Sequence, residues 1–262
     1  MKKMIAAILA LILALGLCAC GAAPADSFEA DKEKGLRLFR DEDYEGAYEV
    51  LAQYADSGDA EISGVIGYCY YGGWGVEQDD AKAAEYLSIA ADADISEAQY
   101  MMGILYEYGY GVEQDDVKAA EYEAKAADAG YADAQLELGY FYEYGYGVEQ
   151  SYDKALEYYT LASEQGNTNA MTNIGVMYEY GYGVDKDPKR AVEYYQKAAD
   201  MGNAAGQANL ASMYRDGNGV QKDYAKAAYW YNECVNNPNA DEKIIKDASE
   251  QLENPNVKAA LK

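Results

Sequence analysis

Apolar positions follow two unlike patterns along the chain. An unbroken apolar run from Met4 to Leu17 follows Lys2 and Lys3, which is the layout of an export leader, and it is shorter than the roughly 20 residues a membrane-spanning helix needs. From about residue 30 onward, apolar and small residues recur every three to four positions, the spacing of one helix stripe. Gly75-Val76, Gly111-Val112, Gly147-Val148, Gly183-Val184 and Gly219-Val220 punctuate these helices at intervals of 36 residues without a slip. A fixed period of that length marks a repeat architecture, and five units run over residues 60–237.

Each unit predicts two helices. The second starts at Asp79, Asp115, Ser151, Asp187 and Asp223, residues whose side-chain oxygen accepts an orphan backbone N–H. Pro188 suits a first helical position, and Gly130, Gly166, Gly202 and Pro238 are stop signals. Three columns predict its buried stripe: Ala83, Ala119, Ala155, Ala191 and Ala227; Tyr86, Tyr122, Tyr158, Tyr194 and Trp230; and Ala90, Ala126, Ala162, Ala198 and Cys234. The first helix carries Gly67, Gly103, Gly139, Gly175 and Ala211, small enough for close helix approach, then Tyr70, Tyr106, Tyr142, Tyr178 and Tyr214, expected to fill the adjacent gap. Between the helices, pairs such as Gly109 and Gly111 give the turn its positive φ, and Val112 and its equivalents plug the turn. Residues 30–59 form a shorter unit: Gly35 and Ala47 are 12 apart, Gly67 and Ala83 are 16 apart, and the Gly-x-Gly-Val loop is missing. Ile244, Ile245, Ala248 and Leu252 predict a last amphipathic helix in residues 238–262, a cap for the final apolar face.

The pattern A-x-x-x-x-G-x-x-Y-x-x-G-x-G-V-x-x-D-x-x-K-A-x-x-Y-x-x-x-A-A resembles the Sel-one-like repeat, a relative of the tetratricopeptide repeat with a longer loop. The resemblance implies an all-α, right-handed α-solenoid of five 36-residue helix-loop-helix repeats, with a shorter N-terminal tetratricopeptide-like unit and a C-terminal capping helix. It also implies an adaptor that binds a protein or peptide, with the first helices lining the concave side. Tyrosine where the family often has tryptophan (Trp230 keeps it), Ser151 for Asp and Ala211 for Gly are mild departures.

The face of the first helix opposite the fixed glycine and tyrosine varies most from unit to unit; residues 97, 101, 104 and 108 share it by helical phase. Its aromatic and apolar members are the candidate partner-binding residues: Tyr68, Met101, Ile104, Tyr108, Tyr140, Tyr144, Val176 and Tyr180. Trp74, Tyr110, Tyr146 and Tyr182 form a second column at the loop tips. The columns of Tyr108 and Tyr110 lose their aromatics in the fifth unit, so the loop does not require them, and tyrosine is a typical interface anchor. The alternative is that Tyr108, Tyr144 and Tyr180 only stack on one another between adjacent units.

Leu17-Cys18-Ala19-Cys20 resembles the lipobox of bacterial lipoproteins. It implies a leader over residues 1–19, lipidation of Cys20, a tether over 20–29, and an extracytoplasmic protein held to the bacterial cell membrane, or an outer membrane where the source has one, by acyl chains alone. A plain secreted protein is the other reading. Losing the two lysines of the leader takes the formal charge from −25 to −27. That excludes nucleic acid, whose binding relies on basic side chains at phosphates, and favours a partner with a basic surface.

The chain has no histidine, the usual general base and commonest metal ligand. Cys69 and Cys234 fall in core columns, no catalytic group stands out, and no metal or cofactor is implied. Asp79-Asp80 and Asp115-Asp116 read as helix-end charges. Lys82, Lys118, Lys154 and Arg190 lie three before a glutamate, a helix ion-pair spacing. Two rivals to the adaptor remain: a glycan- or cell-wall-binding module that stacks sugars on the tyrosines, and a cell-wall-modifying enzyme, which would resemble the cysteine-rich relatives but lacks their paired cysteines.

Overall fold

A computed structural model describes residues 27–261. The expected leader, Cys20 and most of the expected tether lie outside the described residues. The chain divides into two compact units, one ending at Tyr131 and one starting at Ala132. The described residues are all α: a helix-loop-helix repeat solenoid with additional helices at both ends.

In the first unit, α1 (Ser27–Arg40) and α2 (Tyr44–Leu51) form a hairpin followed by a 3-10 helix, Ala52–Ser57. The first two long-loop repeats follow as α3 (Ala60–Gly72) with α4 (Asp80–Asp92), and α5 (Ser96–Tyr108) with α6 (Asp116–Asp128). The first helix therefore begins at Ser27, inside the stretch expected as tether. In the second unit, α7 (Ala132–Tyr144) pairs with α8 (Tyr152–Glu164), α9 (Thr168–Tyr180) with α10 (Pro188–Asp200), and α11 (Ala204–Asp216) with α12 (Tyr224–Val235). The last helices, α13 (Glu242–Leu252) and α14 (Pro255–Ala259), pack against α12.

The caps follow the sequence. Asp79, Asp115, Ser151, Asp187 and Asp223 each accept a backbone N–H from the first turn of the helix they start. Their own N–H groups donate to the carbonyls of Tyr70, Tyr106, Tyr142, Tyr178 and Tyr214 at 2.8–3.1 Å, closing the loop the same way five times. The second loop glycine has a steric role besides its positive φ. A Cβ on Gly219 would stand 2.2 Å from the Pro188 carbonyl oxygen, and one on Gly111 would stand 1.9 Å from that of Asp80. Within each unit the loops of Gly75, Gly111, Gly183 and Gly219 thus rest directly on the second helix of the preceding hairpin.

Two expectations about packing need correction. The column Tyr86, Tyr122, Tyr158, Tyr194 and Trp230 is half-buried rather than core. Its tyrosines stack on Tyr70, Tyr106, Tyr142 and Tyr178 at 5.7–5.9 Å between ring centroids. The gap beside the small residue of the first helix is filled instead by the next column: Leu87 against Gly67, Glu123 against Gly103, Tyr159 against Gly139 and Tyr195 against Gly175. Tyr159, Tyr195 and Tyr231 are fully buried. The lysine column also behaves differently. Lys82, Lys118 and Arg190 turn back to their own N-caps at 3.6–3.9 Å and, with Lys154 and Lys226, lie over the Tyr70-to-Tyr214 column at 4.6–5.3 Å. The ring offers the cation a π face that the exposed glutamate on the next turn does not.

Candidate partner-binding surface

The exposed aromatics arise from the end of each first helix. Tyr108, Tyr144 and Tyr180 are its last residues, and the loop turns immediately after each at a glycine in the left-handed region. That turn brings the residue two places later back over the helix end. Tyr108 therefore stacks on Tyr110 (5.6 Å, 17°), Tyr144 on Tyr146 (5.9 Å, 20°) and Tyr180 on Tyr182 (5.8 Å, 20°). In the second unit Tyr140 joins Tyr144 at 4.5 Å, and Tyr182 stacks on Tyr152 at 5.3 Å. Each of these tyrosines thus stacks on the loop-tip tyrosine of its own repeat. Tyr108, Tyr144 and Tyr180 remain 48%, 51% and 58% exposed. Tyr140, Tyr146 and Tyr182 are exposed as well, while Val176, Trp74 and Tyr110 are half-buried.

The rest of the expected face lies inside. Tyr68, Met101 and Ile104 are buried. Helical phase sets them on the varied face, but α1 packs against α3 and brings Leu36 and Phe39 to one cavity with Tyr68 and Met101. Trp74 closes over the same region. Its indole covers Gly72, where a Cβ would fall 2.1 Å from the ring, and stacks on Tyr68 at 5.0 Å. The first repeat therefore exchanges the exposed tyrosine pair for a glycine and an inward-folded tryptophan. At the other end, Ala205, Asn209 and Ser212 line a polar cavity of about 380 Å³ together with α13.

A carboxylate precedes Tyr144 and another precedes Tyr180, and a buried tyrosine anchors each. Tyr159 donates to Glu143 at 2.7 Å, and Tyr195 donates to Glu179 at 2.8 Å. Burial, followed by Glu143, pushes Tyr144 up to about 12; Glu179, followed by burial, raises Tyr180. Both phenols stay protonated at physiological pH, each beside a carboxyl side chain. This Glu-to-Tyr link, 16 residues long, was not foreseen, because the two members lie on different helices and each column varies between repeats. Arg215 takes the glutamate's place in the fifth repeat and donates to Tyr231 at 3.1 Å. Among the described residues no three His, Cys, Asp or Glu side chains gather to hold a metal ion. No helix there is long and apolar enough to cross a membrane.

The geometry of two helices, a glycine-flanked loop and a fixed period finds a direct counterpart. The Sel1 repeat pattern matches residues 64–95, 96–131, 132–167, 168–203 and 204–233. The chain belongs to the Sel1 repeat family. A Sel1 repeat protein from Oxalobacter formigenes is 32% identical in its crystal structure, over 85% of this chain and 95% of its own, with a TM-score of 0.76. A protective antigen present in uropathogenic Escherichia coli strains, displaying an SLR fold, is also 32% identical; the match covers 80% of this chain and 46% of that one, with a TM-score of 0.73. The Sel1 chain thus spans less than half the length of that antigen. No curated protein matches it.

Proposed function

We propose that this Sel1 repeat protein is a non-enzymatic, extracytoplasmic scaffold, lipid-anchored at Cys20, that binds a protein or peptide through the exposed tyrosine pairs at the ends of its first helices. The observation that carries the reading is the repeated stack of Tyr108 on Tyr110, Tyr144 on Tyr146 and Tyr180 on Tyr182, each leaving one ring about half exposed. Large, pre-stacked amphipathic rings lose little conformational freedom on binding and give both apolar area and a hydroxyl. Glu143 and Glu179 beside them, and a formal charge of −25, favour a partner with a basic surface. A scaffold role is consistent with the Sel1 repeat family.

The test is capture of partners on the immobilised protein beside a Tyr108/Tyr144/Tyr180→Ala variant, at equal helicity, in low and high salt. A protein retained by the parent, lost with the variant and released by salt supports the scaffold. Equal retention by both would remove the tyrosines from the site. The same exposed ring faces can stack on sugars, so a glycan-binding module is the second reading. Its signature is retention on cell-wall glycan that salt leaves unchanged, since screening within about 8 Å acts on charges rather than on stacking.

A further inference from the structure

The cavity under α1 has the features of a binding pocket rather than of a packing fault. It is lined by Leu36 and Phe39 from α1, Val65 and Tyr68 from α3, and Met101 from α5, with Glu61 and Glu97 among its polar residues. Its volume is about 120 Å³, close to the roughly 150 Å³ of an apolar cavity that accepts benzene. Tyr68, a residue only 2% exposed, lines it. An apolar pocket with one or two polar groups, here the carboxylates, is the usual form of a small specific site. The two carboxylates differ. Glu61 is held by Lys32 at 2.7 Å, whereas Glu97 meets only the neutral hydroxyl of Ser96 at 3.3 Å, so Glu97 is the carboxylate here with no cation beside it.

We infer that this cavity receives one apolar side chain of leucine-to-phenylalanine size from a partner peptide, with a lysine or arginine next to it pairing with Glu97. The inference rests on the scaffold reading but concerns a different place from the exposed tyrosines. It assigns Tyr68 and Met101, both buried, to the floor of a pocket and not to an open groove.

The probes are phenethylammonium, which joins a ring to a cation, and neutral phenethyl alcohol. Each is titrated into the intact protein carrying ¹³C-methyl methionine, with Met101 as reporter and Met213 of the second unit as control. The expected result is a saturable Met101 shift with both and an unmoved Met213. The ammonium should bind about two- to fivefold more tightly, the range of a partly exposed ion pair. Val65→Phe should fill the cavity and abolish the shift, and Glu97→Gln should equalise the two probes. Should Val65→Phe fail to fold, Glu97→Gln still decides, because a retained preference for the ammonium overturns the assignment. An unmoved Met101 in the parent protein, or a shift that survives in folded Val65→Phe, also overturns it. So does a dimer in sedimentation that Val65→Phe dissociates, since the occupant would then be a second copy of this chain. Met101 reports without any captured partner, so this test can fail while capture through the tyrosines succeeds, and the reverse.

Discussion

At Gly175 the space for a side chain is already taken: a Cβ there would lie 2.5 Å from the Tyr195 ring. Gly175→Ala should therefore cost about 1–3 kcal/mol by overpacking, read as a lower urea midpoint at unchanged slope. Gly219 and Gly202 separate conformational from steric demands. Both have positive φ, but a Cβ at Gly202 meets nothing within 4 Å whereas one at Gly219 meets the Pro188 carbonyl. Gly202→Ala should cost about 1 kcal/mol, and Gly219→Ala clearly more, about 2 kcal/mol or above. Burial raises the thiols of Cys69 to about 12 and Cys234 to about 11. Neither should react with iodoacetamide at pH 8 in the folded protein, and both should react in urea. Their buried state was legible from their columns, which hold Leu105, Phe141 and Met177 in one case and four alanines in the other. The inward choice between Tyr158 and Tyr159, or Tyr194 and Tyr195, was not. Adjacent residues on a helix differ by about 100°, both columns are aromatic, and the glycine that selects the inner one lies on another helix.

Among the elements, the five repeats were legible because caps, glycines and alanine columns all specify the same register. The terminal helices were legible as helices, but their docking was not. That α1 would lay Leu36 and Phe39 beside Tyr68 depends on tertiary contacts which no period records, so the buried end of the expected binding face was invisible in the sequence. Lys32 helps to hold α1 in place, bonding Asp59 at 2.6 Å and Glu61 at 2.7 Å. Burial alone would raise the Asp59 carboxyl, but Lys32 and the N–H groups of Ile62 and Glu61 outweigh it and hold the carboxyl below its ordinary range. A lowered folded-state value stabilises the fold above the unfolded carboxylate range, and that contribution is lost as pH falls through the folded value. Acidification below about pH 4 should therefore raise amide exchange in α1 before α4, and Lys32→Met should remove the difference between the two helices in this pH range. The Glu-to-Tyr links work between paired helices: Tyr195→Phe should cost about 1 kcal/mol, and Tyr194→Phe, in the half-buried column, less.

For the whole molecule, a formal charge of −25 with a sequence pI near 4.2 opposes self-association and repels anionic surfaces. It would hold the repeats away from the anionic membrane to which Cys20 would be anchored, leaving the tyrosine pairs for a basic partner. The molecule carries its variable chemistry where the repeat tolerates it, at helix ends and loop tips, while the glycine, alanine and buried tyrosine columns fix the period. Hydroxyl-radical footprinting of the protein, with and without its captured partner, tests that division most directly. The account predicts that Tyr108, Tyr144 and Tyr180 lose reactivity together on binding, while exposed Tyr229 on α12 is unchanged. Unchanged labelling of all three beside protection elsewhere would contradict it.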